Sequence, residues 1–304
     1  MKTLIALLGL VLTLQTSSAL ASDYVKKTVE VDGFSRVALS GAAELIVHQG
    51  DDQKLVITAS KKMMERIQVK QKGDRLQLKI KNSMWGFFDF DSHVRFAVTM
   101  PVIDAISAAG SGKVQAGDIQ SKHLKLGRSG SGEMHFGKIT AQRLSLEMAG
   151  SGDFNAIEVT VETLDLESAG SGDMAIDVIN MEDMEVEIAG SGDLAVGLLN
   201  GEKLEVELAG SSDVTIRDGG KVLEQDIDIA GSSDYNAGKL ESQHARLDLS
   251  GSVDAHVFVT DTLEVDASGA ADVRYHGHPE VSASTSGASG VEALDTHANR
   301  TDDH

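Results

Sequence analysis

Six aspartates recur in step along this chain. Asp153, Asp173, Asp193, Asp213, Asp234 and Asp254 each follow a short small-residue motif, once per repeat of about twenty residues. A row of carboxylates could share divalent cations, as repeat toxins that bind calcium do. Those toxins use a shorter period and set Asp two places after Gly, whereas here Asp is adjacent to the motif. The spacing therefore favours side chains that accept N–H bonds from their own turn while staying in water. A divalent-cation ladder is the alternative. At a rung spacing of about 4.8 Å, neighbouring carboxylates repel by about 1 kcal/mol in water and about 3.5 kcal/mol at an effective dielectric of about 20.

Other chemistry is harder to find. The sequence contains no Gly-x-Ser-x-Gly elbow, His-Glu-x-x-His pair, Walker loop or dinucleotide fingerprint. Its glycine-rich motifs lack the Lys-Ser/Thr that would hold phosphates. His276 and His278 are close, and His297 and His304 stand near the end. Without clustered partners, the first two read as a solvated turn rather than a zinc or nickel site. No catalytic, cofactor-binding or metal-ligating residue is assigned.

The elements that position the aspartates follow from the glycines. Gly110, Gly130, Gly150, Gly170, Gly190, Gly210, Gly231, Gly251, Gly269 and Gly287 head successive copies of a Gly-Ser-Gly-Asp-like motif. Before each motif, apolar and polar residues alternate. Leu144, Leu146 and Met148 align with Leu164, Leu166 and Ser168, then with Met184, Val186 and Ile188. Acidic residues such as Glu147, Asp165, Glu167, Glu185 and Glu187 lie between them. A second alternation follows the motif, with Phe154 and Ala156, then Met174 and Ile176. Period two marks strands. Each repeat thus reads as strand, tight turn, strand and looser corner.

One such unit cannot bury its apolar face alone, but stacked copies can. The fold class is all-β, a single-stranded β-solenoid with rungs of about 20 residues and an N-terminal β-strand cap; ten rungs would make a rod of roughly 48 Å. Conserving the first Gly in every copy of this chain points to a backbone angle or close approach that forbids a Cβ. The second Gly gives way to Ser212, Ser233, Val253 and Ala271, so it does not require positive φ. The Ser column reads as bonded from rung to rung or to the turn backbone.

Four regions result. Residues 1–21 read as a signal peptide, with Lys2, the apolar run Leu4 to Leu14 and the small-x-small site Ala19-Leu20-Ala21. Residues 22–100 form an N-terminal β region and cap, continuous with the solenoid. Within it, Gly50-Asp51-Asp52 and Lys72-Gly73-Asp74 read as hairpin turns, and Lys61 to Arg66 as one helical turn. Trp85-Gly86-Phe87-Phe88-Asp89-Phe90 reads as a plug over the open solenoid end, or else as an exposed recognition patch. A further motif copy, Ser40-Gly41-Ala42-Ala43-Glu44, stands upstream of a long interruption. Residues 101–290 are solenoid repeats, and 291–304 a polar tail.

Composition bounds the company this chain keeps. The 47 acidic residues outnumber the 27 basic ones, which disfavours nucleic acid and anionic headgroups. Cysteine is absent, so disulfides and thiolate metal sites are excluded. No mature segment is apolar for the roughly 20 residues that a membrane span needs.

The order Val31-Asp32-Gly33-Phe34, Leu45-Ile46-Val47-His48-Gln49-Gly50-Asp51 and Leu76-Gln77-Leu78, followed by repeated Gly-Ser-Gly-Asp, resembles a family of bacterial exported proteins. These are the autotransporter-adhesin head domains, also called head GIN domains. The turn Tyr275 to Pro279 is similar to that family's closing segment. The resemblance covers about residues 28–290. It implies a β-solenoid in a Gram-negative cell envelope and brings no catalytic residues. The sequence lacks a C-terminal barrel, a trimeric anchor and a lipidation cysteine, so the expected location is periplasmic or extracellular, including the cell surface.

Two function classes fit. One is a non-catalytic envelope module for binding, adhesion or structure, with an envelope protein or glycan as partner. The other is a carbohydrate-active β-helix enzyme, a polysaccharide lyase or hydrolase. Short, uniform connections favour the first.

Two measurements check this reading. Intact mass of the native protein is expected to place the first residue at Ser22; retention of Met1 would refute the leader. Sodium and calcium chloride at matched ionic strength are expected to raise Tm equally. A calcium-specific gain, about 2.7 kcal/mol at a hundredfold excess over Kd, would instead establish the ladder as a cation site.

Overall fold

Alternation in the sequence becomes alternation in burial. A computed structural model describes residues 24–81 and 93–294. The proposed leader and the Trp85–Phe90 segment lie outside these residues. In Asp183–Gly190, Met184, Val186 and Ile188 are buried while Glu185 and Glu187 are exposed. The column Leu166, Val186, Val206 pairs residue to residue, and its members are 1%, 0% and 0% exposed. A slip of one residue would turn every one of these side chains to water.

The repeats stack as parallel strands in register, forming a β-solenoid. Strands Arg143–Gly150, Thr163–Gly170, Asp183–Gly190, Lys203–Gly210 and Glu224–Gly231 lie side by side as one sheet, with every motif glycine beside its counterpart. After the turn, Phe154–Thr160, Met174–Asn180 and Leu194–Asn200 pair likewise. Each of these strands contains a corner that alternation alone does not reveal. Ile157 and Glu158 both point away from the core, and alternation resumes with the buried Val159. The buried Ile179 and Leu199 stack on the same third side.

The first glycine meets both requirements inferred from its recurrence. Its φ is +104° at Gly110 and +143° at Gly170, a region closed to most L residues. A Cβ on Gly130 would also lie 2.5 Å from the Gly110 carbonyl oxygen. That carbonyl is held close because it accepts the Ser131 N–H at 3.2 Å, and the Gly170 carbonyl accepts Ser191 N–H at 2.8 Å. The main-chain N–H of the Ser column thus carries the bond between rungs. Its hydroxyls contribute one pair, Ser171 to Ser191 at 3.2 Å.

The N-terminal region begins with β1 (Tyr24–Val29), β2 (Arg36–Ser40), β3 (Glu44–Gln49) and β4 (Lys54–Ser60). Next come the helical turn α1 (Lys61–Met64), β5 (Ile67–Lys72), β6 (Arg75–Ile80) and β7 (Arg95–Met100). β8 (Ala105–Ala109) and β9 (Lys113–Ala116) then open the regular repeats. β2 and β3 pair directly with β8 and β9, so the upstream motif at Gly41 is a true rung beneath Gly110. The interruption is an excursion that covers the solenoid end with antiparallel strands, β1 and β7 flanking β4, and β5 against β6.

Lys72-Gly73-Asp74 does close a hairpin, with Gly73 at φ +60°. Gly50-Asp51-Asp52 does not, because β3 spends its hydrogen bonds on β7 and β9 while β4 pairs with β1 and β7. At the other end the last full-length strand, Glu280–Gly287, is exposed throughout. Gly290–Ala293 pairs with Asp272–Tyr275 and extends regular structure into the segment read as polar tail.

Spacing changes are absorbed locally. The single extra residue before Gly231 enters between Ile216 and Gly219, where Arg217 and Asp218 stand against Gly197, and pairing resumes at Gly219 and Gly220, both at positive φ. In the rung after Gly251 the two-residue corner is missing, with Val253, Ala255, Val257 and Val259 alternating without a break, while Gly251 and Gly269 still turn the chain at positive φ.

Val186→Asp places an unpaired charge in the stacked core and is expected to cost at least about 3 kcal/mol in urea unfolding. Glu187→Ala, one residue on and facing water, is expected to change stability by less than about 0.5 kcal/mol. Equal effects would mean that the faces are assigned wrongly.

Candidate functional site

The aspartate row is a bonded ladder. Each carboxylate accepts the main-chain N–H of the next aspartate in the row: Asp173 to Asp153 at 3.2 Å, Asp193 to Asp173 at 3.1 Å and Asp213 to Asp193 at 3.0 Å. Asp234 donates likewise to Asp213 at 2.9 Å. The bonds therefore cross between rungs, whereas the spacing had pointed to each residue's own turn. Asp234 has its pKa raised by burial and then by Asp213 and Asp254. Among the described residues no group of three or more metal-ligating side chains converges, at this ladder or at His276 and His278. His276 instead packs its ring edge-on to Phe258, with centroids 6.3 Å apart.

The sheet of pre-motif strands carries a broad concavity. Its outer face is a groove of about 1020 Å³ running across successive rungs. The floor is set by the residue just before each motif glycine, Ala149, Ala169, Ala189, Ala209 and Ala230, which are exposed and too short to fill it. One wall is the acidic column two residues earlier, Glu147, Glu167, Glu187, Glu207 and Asp228. Towards the cap, the same positions become Ser107 and Gly127, then Ala38 and Gln77, and the groove ends among Arg75 and Lys79. A second concavity of about 510 Å³ continues beside it past Arg36, His123 and Lys125.

The wall is an electrostatic cost built into the repeat. Burial of part of its side chain, then Glu187, Glu205, Asp165 and Glu207, hold the pKa of Glu185 above the ordinary carboxylate value. Relief is scarce. Lys203 bonds Glu205 at 2.8 Å, and that bond raises the lysine pKa.

Among the described residues, one charged side chain enters the core. Arg128 occupies the column that holds Ala108 below and Met148 above, and it is 3% exposed. Its Nη2 donates to the Gly110 carbonyl at 2.6 Å, while Nε and Nη1 find no partner. Burial lowers its pKa. The guanidinium fits because Gly132 and Gly152 lack a Cβ; one added at Gly152 would stand 3.0 Å from Nε. This gives the second glycine a steric reason in these rungs. The signal was visible as an arginine in the apolar series Leu124, Leu126, Arg128.

Sequence reasoning located the acidic columns but not the groove. Its floor depends on which small residues face outward together, and its basic end comes from strands remote in the chain.

The family described as "Putative auto-transporter adhesin, head GIN domain" matches residues 33–197 and again residues 157–279. Among solved structures, a putative adhesin from Bacteroides fragilis shares 19% identity over 74% of this chain and 98% of its own, with TM-score 0.60. A putative adhesin from Parabacteroides merdae shares 15% over 90% and 98%, with TM-score 0.56. A "putative lipid binding protein" from Parabacteroides distasonis shares 17% over 90% and 98%, with TM-score 0.53. No curated protein matches the chain. With the family model spanning most of the sequence in two overlapping matches, and the same solenoid in these structures, the chain belongs to the auto-transporter adhesin head GIN domain family.

Proposed function

We propose that this protein is a non-catalytic binding module of the cell envelope, and that the outer groove of the pre-motif sheet is its contact surface. The observation that carries this reading is the groove itself. It is long and shallow, floored by small outward residues and walled by charge, the shape of a surface that meets an extended partner rather than one that encloses a small substrate. Membership of an adhesin-head family supports the same reading. An envelope protein or glycan fits such a surface, and the leader-like pattern of residues 1–21 supports export to the periplasm or beyond. Among the described residues no helix is long and apolar enough to cross a membrane.

A carbohydrate-active enzyme would bring carboxylates together across a cleft. In the groove the acidic residues run in columns along one wall, each side by side with its neighbours in register, rather than opposed across a cleft.

The test fills the groove without touching the core. Ala169 and Ala189 point outward, so Ala169→Trp with Ala189→Trp is expected to leave the melting curve near wild type. Immobilised wild-type protein is expected to retain envelope glycan or protein, and the filled variant to retain at least about tenfold less, as loss of about 1.4 kcal/mol would give. Equal retention would remove the groove from the reading. Release of new reducing ends from polysaccharide by the wild type would replace it with the enzymatic one.

A further inference from the structure

The face that carries the groove is charged unequally along the rod. β5 is antiparallel to β6, with Lys72 beside Arg75 and Gln68 beside Lys79. Directly opposed residues share a face, so Lys70, Lys72, Arg75 and Lys79 all point outward with the groove floor. All four are exposed, and among the described residues none of them pairs with a carboxylate. Ala38, Ser40, Ser107, Gly127 and Ser129 come next, small and uncharged, with the exposed Arg36 and Lys125 on the same strands along one margin. Beyond them stand paired acidic residues on every rung, Asp165 with Glu167, Glu185 with Glu187 and Glu205 with Glu207.

Rotating this face by half a turn about an axis along strand His123–Gly130 exchanges its two ends and sets the exposed Lys125 of that strand beside its own copy. Strand order then sets β5 opposite Lys203–Gly210, β6 opposite Asp183–Gly190 and β2 opposite Thr163–Gly170. Lys72 and Lys70 then lie opposite Glu205 and Glu207, Arg75 lies opposite Glu185, Arg36 opposite Asp165, and Lys79 lies one outward position from Glu187. Small residues at the centre let two such faces approach closely. From β5 to Lys203–Gly210 the shared face is about 38 Å long at about 4.8 Å per strand and about 20 Å wide, roughly 770 Å² per partner. That is the size of a standard specific interface, about 800 Å² a side.

We propose that the partner of this face is a second copy of the chain, docked antiparallel through a two-fold, self-complementary contact. The inference rests on reading the groove face as the contact surface, and it names the occupant. An isologous contact closes at two copies. It offsets the carboxylate repulsion in each wall with the cations that its own sheet cannot bring near. Charges of this kind set orientation and partner choice more than raw affinity, so the pairing is salt-sensitive.

Sedimentation equilibrium of the full mature protein tests it. We expect dimers that weaken at least about tenfold as sodium chloride rises from about 0.1 M to about 1 M, as the screening length falls from about 10 Å to about 3 Å. Arg75→Glu with Lys79→Glu is expected to be monomeric, and so is Glu185→Lys with Glu187→Lys. All four positions are exposed, and circular dichroism is expected to report an unchanged fold. Mixing the two variants is expected to restore a dimer, because both contacts are then opposite in charge. Wild-type protein that stays monomeric at every salt concentration would overturn the proposal, as would a dimer that survives in either variant. A monomer whose binding of envelope material is still blocked by the groove-filling tryptophans would refute the self-pairing alone and leave the binding surface standing.

Discussion

Everything in this molecule depends on how closely one rung can approach the next at the glycine turn. The motif carbonyl of each rung accepts an N–H from the rung above, for example Ser171 to Gly150 and Ser191 to Gly170, both at 2.8 Å. That bond brings backbone against backbone at a point where a Cβ would collide with the carbonyl. The residue also sits at positive φ. Two independent constraints therefore act on one position, and either alone would exclude most side chains. Once the turn is set, the strands on both sides fall into register, and the aliphatic columns stack without further instruction.

Register has an electrostatic consequence. A repeat that places Leu above Val above Val also places Glu above Glu above Glu, because parallel in-register stacking sets equivalent positions side by side. The acidic columns and the aspartate ladder are thus two versions of one problem. The ladder relieves part of it by giving each carboxylate an N–H from the neighbouring rung. The outer wall has no such donor, and its charge faces solvent or a partner. Charge on an exposed sheet also discourages indiscriminate edge pairing, while an opposite charge farther along the same face leaves one favourable arrangement open.

The cap shows how a solenoid starts. β2 and β3 form a regular rung with β8 and β9 although a long excursion separates them in sequence. That excursion supplies antiparallel strands, whose chain direction breaks the parallel stack and ends it. It also brings Lys70, Lys72, Arg75 and Lys79 onto the face that the later repeats make acidic. One segment thus both terminates the core and creates the charge asymmetry.

By itself, the sequence determined the period, the strand faces and the special position of the first glycine, since each is a local pattern repeated many times. Leu166, Val186 and Val206 could be assigned to one buried column because repetition removes the ambiguity a single strand would leave. The tertiary structure alone decided three things. The corner at Ile157 and Glu158 breaks the alternation over only two residues, too short a signal to read as a third side. The partners of β3 and β4 depend on competition among strands for a limited set of hydrogen-bonding edges, and a plausible turn at Gly50 cannot settle that competition. The groove exists because small residues from many rungs align in space next to acidic ones, with basic strands from the cap at one end. Distance along the chain carries no trace of that neighbourhood; only the closure of the stack brings those residues onto one face.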